Sequence, residues 1–128
     1  MHKSIHLITA ALALLYTAHA NAQVGRLEPK AFKTEVDKGT SQLIDVRTPE
    51  EFVRGHLAGA VNIDWLADDF SDISAKLDKR KPVLLYCAVG GRSEEAKAAM
   101  EKAGFPHVQD MLGGINAWKS NSLPITTK

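Results

Sequence analysis

The sequence predicts an α/β domain built on a mainly parallel sheet with helices on both faces. Short apolar runs alternate with segments of helical periodicity from residue 23 onward. One run, "PVLLY", is continuously apolar, as a strand buried on both faces requires. Glycines and prolines fall at the ends of the helical segments, where they start or stop a helix. Strand–helix alternation of this kind builds parallel sheets with right-handed crossovers.

The elements justify themselves in order. "MHKSIHLITAALALLYTAHANA", residues 1–22, opens on Lys3, continues through an apolar stretch from Ile5 to Tyr16, and ends in small residues. That is the layout of a cleavable secretory signal, and the apolar stretch is too short to span a bilayer. Cleavage after Ala20 or Ala22 is expected, with export to the periplasm and no membrane association afterwards. Residues 23–128 then form one domain, too short to divide in two. Lys3 is the only charged residue of the leader, so the basic and acidic residues beyond it are equal in number. A neutral domain without a basic stripe does not suit nucleic acid. Monomer and homodimer both remain open.

"EPKAFKTEVDKG" reads as a helix with Pro29 in its first turn, Phe32 and Val36 on one face, and Gly39 past its end. "QLIDV", Gln42 to Val46, is a strand. "TPEEFVRG" is a helical turn or two, with Thr48 as N-cap, Pro49 first and Gly55 closing it. "AVNID", Ala60 to Asp64, is a second strand, and a helix lies within Trp65 to Asp78. "PVLLY" is the central strand. "SEEAKAAMEKAG" is a helix with Ala96, Ala99, Met100 and Ala103 on its inner face and Gly104 at its end. "HVQDM" is the last strand, with "LGGINAW" and a tail beyond it.

Cys87 is the only cysteine, so no internal disulfide is available. A lone thiol in an oxidising compartment is either buried and inert or kept for its reactivity. It directly follows the central strand, and a helix is expected to begin near Ser93. Ligands bind at the carboxyl ends of strands in sheets of this kind. The intervening loop, "CAVGGR", holds Cys87, Ala88, Val89, Gly90, Gly91 and Arg92. Two glycines let such a loop turn several N–H groups inward as an anion nest, and Arg92 adds positive charge. Favouring a thiolate a hundredfold takes about 2.7 kcal/mol. A helix terminus supplies only ~0.3–1 kcal/mol. The loop amides and Arg92 are therefore expected to carry most of the stabilisation, with Glu94 and Glu95 facing solvent. The sulfur is expected to be negatively charged and open to a reagent.

Three segments in order resemble the rhodanese-like (sulfurtransferase) family in its single-domain form. They are "LIDVRTPEEFVRGHLAGAVNI" from Leu43 to Ile63, "CAVGGRS" from Cys87 to Ser93, and "LGGINAW" with Gly113, Gly114, Ala117 and Trp118. The resemblance spans about Leu27 to Pro124. It implies a central five-stranded parallel sheet and a catalytic Cys87 that takes a sulfane sulfur from a donor such as thiosulfate. The resulting persulfide passes that sulfur to a thiophilic acceptor such as cyanide. It implies Ala88 to Ser93 as the substrate-binding loop, small sulfur compounds as partners, and no metal or organic cofactor. Ser122 stands where the family often has glycine, and Asn121 before it can take a left-handed backbone.

The resemblance also implies Asp45 and Arg47, in "IDVR", as hydrogen-bond organisers of the loops, and His56 is expected to fix a loop, because a ready-made thiolate needs no base. Glu50 and Glu51 read as a solvated helical turn, and Trp65 and Trp118 as core aromatics. His56 and His107 are too few and too separated for a metal site. Two other functions compete. Related phosphatases and arsenate reductases place five residues between Cys and Arg to wrap an oxyanion, whereas four lie between Cys87 and Arg92 here. A non-catalytic persulfide carrier or sensor would carry the same loop.

Overall fold

The computed structural model describes residues 24–128, and the leader expected over residues 1–22 lies outside them. The chain runs β1 (Arg26–Leu27), α1 (Pro29–Asp37), β2 (Gln42–Asp45), α2 (Pro49–Val53), β3 (Val61–Asn62), α3 (Phe70–Ser74), β4 (Val83–Tyr86), α4 (Gly91–Lys102), β5 (Val108–Met111) and α5 (Gly114–Ser120). The five strands form one sheet in the order β1-β5-β4-β2-β3. All four pairings are parallel.

β4 lies in the middle with every residue buried, as its unbroken apolar sequence predicts. Its side chains alternate between two cores. Val83 and Leu85 join Ile44 on one face, against Phe70 of α3 and Ala96 and Met100 of α4. Leu84 and Tyr86 join Leu43 on the other, against Phe32 of α1 and Ile115 and Trp118 of α5. Phe32 meets both Tyr86 and Trp118 edge-on at 6.5 Å, a favoured aromatic geometry. Trp118 is thus a core aromatic. Trp65 is only half-buried, edge-on to Phe70 at 4.9 Å, and its Nε1 donates to Glu95.

Several elements differ from the sequence pattern. β3 contracts to two residues, because it is an edge strand whose Val61 side chain faces solvent. α4 starts at Gly91 rather than Ser93, since Gly90, at φ 106, serves as its N-cap and turns the chain straight into the helix. Its buried stripe is Ser93, Ala96 and Met100, while Ala99 is half-buried and Ala103 exposed. β1 and α5 carry no pattern of their own: β1 has two residues, and α5 begins on a glycine pair that ordinarily opposes helix. In the tail, the left-handed position falls at Ser122, with φ 57, and not at Asn121, with φ −87.

Candidate active site

Cys87 follows β4 at the carboxyl edge of the sheet. Gly90 N–H donates to its Sγ at 3.1 Å and Ser93 N–H at 3.4 Å. The loop is also held from its outside. The carbonyl of Cys87 accepts from Ile115 N–H at 2.8 Å, and that of Ala88 from Asn116 N–H at 3.1 Å. The carbonyl of Gly90 accepts from Arg26 Nη2 at 2.9 Å and from Glu94 N–H at 3.2 Å. Across a planar trans peptide the N–H points opposite to the C=O. Fastening the Ala88–Val89 and Gly90–Gly91 peptides in this way fixes the peptide between them, which carries the Gly90 N–H donor. The first turn of α5 is half of this clamp. Gly114 permits it, because a Cβ there would stand 2.4 Å from the Cys87 carbonyl oxygen.

The sulfur is not open to solvent, contrary to the sequence expectation. Cys87 is 1% exposed, with Gly90 also buried above it and Val89 projecting outward at 68%. The apolar end of β4 and the early start of α4 draw the loop tight over the thiol. Behind it lies a polar chain. Ser93 Oγ sits 3.6 Å from Sγ and donates to Asp110 Oδ2 at 2.7 Å. Asp110 is fully buried and accepts from Arg26 Nε at 2.9 Å and Nη2 at 3.0 Å.

Arg92 does not direct its guanidinium at the sulfur. It makes a two-pronged pair with Glu51, at 2.7 and 3.0 Å, so much of its charge is spent on that carboxylate. Glu51 is correspondingly no freely solvated residue. The Arg92 guanidinium, with help from Thr48, holds its carboxyl at about 2, well below the usual range. Glu94 and Glu95 lie exposed on α4, Glu94 paired with Arg26 at 3.1 Å.

Asp45 and Arg47 form a buried pair. Nη2 of Arg47 donates to Asp45 Oδ2 at 2.7 Å and to the Gly55 carbonyl at 2.7 Å, tying the end of β2 to the chain after α2. Burial works against the Arg47 charge, but the Asp45 carboxylate outweighs it and holds the guanidinium more firmly protonated than usual. His56 is buried and stacked on Phe52 at 3.7 Å. Its Nδ1 lies 2.8 Å from the Phe52 carbonyl and its Nε2 2.9 Å from the Lys128 main-chain oxygen. Both ring nitrogens are thus taken, and it fastens the tail to the chain after α2. The structure gathers Cys87 to Gly90 and the first turn of α4, Gly91 to Ser93, around the sulfur and sets Asp45, Arg47 and His56 around the neighbouring α2.

A cleft of about 280 Å³ opens beside the loop, lined by Arg47, Glu51, Arg54, Ala88, Asn116 and Lys119 among others. Arg54 and Lys119 are exposed cations with no ion-pair partner among the described residues.

A family model, the rhodanese-like domain, matches residues 28–121. The chain belongs to the rhodanese-like family. Thiosulfate sulfurtransferase 16, a chloroplast protein of Arabidopsis thaliana, is 36% identical over 91 residues, covering 63% of this chain and 76% of the relative. The thiosulfate sulfurtransferase GlpE of Pseudomonas aeruginosa is 30% identical over 95 residues, covering 74% and 84%. Among solved structures, a rhodanese-like domain from Anabaena is 26% identical, with a TM-score of 0.72 over 81% of this chain and 80% of that one. The five-stranded parallel sheet is thus the rhodanese-like fold. Sequence reasoning missed Arg26 and Asp110. An acid inside the strand "VQDM" was a signal for Asp110, whereas nothing in two residues of edge strand singles out Arg26.

Proposed function

We propose that this rhodanese-like protein is a sulfurtransferase that carries sulfane sulfur as a persulfide on Cys87. The observation that supports this best is the pair of main-chain donors on Sγ, in a loop whose Cys87, Ala88 and Gly90 carbonyls are held by α5 and Arg26. Such donors stabilise the thiolate that attacks the donor and that returns when the sulfur is passed on. The Cys87 thiolate attacks the outer sulfur of thiosulfate. A new S–S bond forms, the bond to the sulfonate breaks, and sulfite leaves with the electron pair. A thiophile such as cyanide then attacks the outer sulfur, the S–S bond breaks, and the thiolate returns. The cations at Arg54 and Lys119 suit small anions approaching through the cleft. Because the sulfur is covered, each half-reaction requires the segment from Ala88 to Gly91 to part before donor or acceptor enters.

A phosphatase role fits the site less well. Its loop would need an arginine directed into the ring, and Arg92 is engaged by Glu51. The leader pattern supports placing this activity in the periplasm, with the sequence alone as its basis. Turnover separates a catalyst from a carrier. With thiosulfate and cyanide in excess, the enzyme releases many equivalents of thiocyanate, and Cys87→Ser releases none. Release of one equivalent and no more would make the protein a carrier.

A further inference from the structure

We propose that Arg26 is a positioning residue for sulfur transfer, acting on Cys87 through Asp110 and through the Gly90 carbonyl. The inference rests on the Cys87 persulfide reading and goes beyond it. Asp110 is fully buried, and a single hydroxyl, that of Ser93, separates it from Sγ, with 2.7 Å on one side and 3.6 Å on the other. A bare carboxylate in that place opposes a second negative charge on the sulfur. It also holds the Ser93 proton, leaving the serine oxygen to face Sγ as an acceptor.

Arg26 answers the charge with one guanidinium. Nε and Nη2 take the two Asp110 oxygens at 2.9 and 3.0 Å, which cancels the carboxylate charge. Nη2 also holds the Gly90 carbonyl at 2.9 Å, on the outside of the loop whose Gly90 N–H touches the sulfur. Nη1 reaches the exposed Glu94 at 3.1 Å, so that first-turn acid is neutralised as well. Lysine could supply the charge but not the planar fork that meets carboxylate and carbonyl together. β1 is built to deliver this one side chain. Its two residues are fixed to β5 by Asp110 N–H on the Gly25 carbonyl and Leu112 N–H on the Leu27 carbonyl. The charge on Arg26 is drawn upward, foremost by the hydrogen bond to Asp110.

The test is steady-state transfer from thiosulfate to cyanide by the full chain, comparing wild type with Arg26→Gln, Arg26→Lys and Arg26→Gln/Asp110→Asn. Arg26→Gln should lower kcat by about 10- to 100-fold, the range of one charge-assisted hydrogen bond. Removing the carboxylate charge in the double variant should recover at least about tenfold of that loss. Arg26→Lys, which keeps the charge and the fold, should fall between wild type and Arg26→Gln. Arg26→Gln at the wild-type rate, or a double variant no faster than Arg26→Gln, overturns the proposal. If Arg26→Gln does not fold, Arg26→Lys at the wild-type kcat overturns it instead. Failure of wild type to transfer sulfur at all would overturn the underlying reading, and is seen separately from any difference among variants.

Discussion

Gly114 is the position at which the site is least tolerant of change. It has φ 58, and an added Cβ would come within 2.5 Å of both the carbonyl carbon and oxygen of Ala88. These are backbone atoms, so the Cys87 loop itself must move. Gly114→Ala should destabilise the fold by about 1–3 kcal/mol, the range for overpacking. It should also reduce sulfur transfer more than the lost stability explains. Chemical unfolding alongside kinetics decides this, and a fully active, stable variant would contradict the clamp. Ser122 makes the opposite case. It is the one described non-glycine residue with positive φ. An L-residue there is strained by roughly 1–2 kcal/mol, partly offset by the extra chain entropy a glycine would lose. Ser122→Gly should therefore stabilise the protein by about 0.5–1 kcal/mol. A thermal melt should rise by a few degrees, and an unchanged or lowered midpoint would count against the strain.

At the scale of elements, α2 joins the outer wall of the candidate site to the Cys87 loop. Thr48 and Glu51 form a reciprocal capping box, with Glu51 N–H donating to Thr48 Oγ1 and Thr48 N–H to Glu51 Oε1, each at 3.3 Å. Thr48→Ala should cost about 1 kcal/mol, the usual value of an N-cap, measured by denaturant unfolding. The same Glu51 carboxylate pairs with Arg92 at the start of α4, so one short helix is capped and cross-linked through a single side chain. Its carboxyl is held down at about 2 from an ordinary 4.5, first by Arg92. A depressed carboxylate contributes stability above its ordinary range and loses it as pH falls toward the folded value. The stability it contributes should accordingly be lost between pH 4.5 and about 2, the bridge itself opening only near the lower end. Carboxyl NMR titration should find Glu51 near the lower end in wild type and near its ordinary value in Arg92→Gln. The same midpoint in both would remove Arg92 as the cause.

At the scale of the molecule, what could be read from the sequence was what depends on local pattern. The continuous "VLLY" marked the central strand, Pro49 and Thr48 marked the start of α2, and Cys87 before a glycine pair marked the loop of the candidate site. What stayed hidden depends on contacts between distant residues. The approach of α5 to the Cys87 and Ala88 carbonyls, the turning of Arg92 toward Glu51 and the reach of Arg26 to Asp110 join residues far apart in sequence. No periodicity reports such contacts. Intact mass after incubation with thiosulfate tests the central claim most directly. The account predicts a gain of one sulfur atom on wild type, removed by cyanide and absent in Cys87→Ser. An unchanged wild-type mass, or a gain that survives in Cys87→Ser, would contradict it.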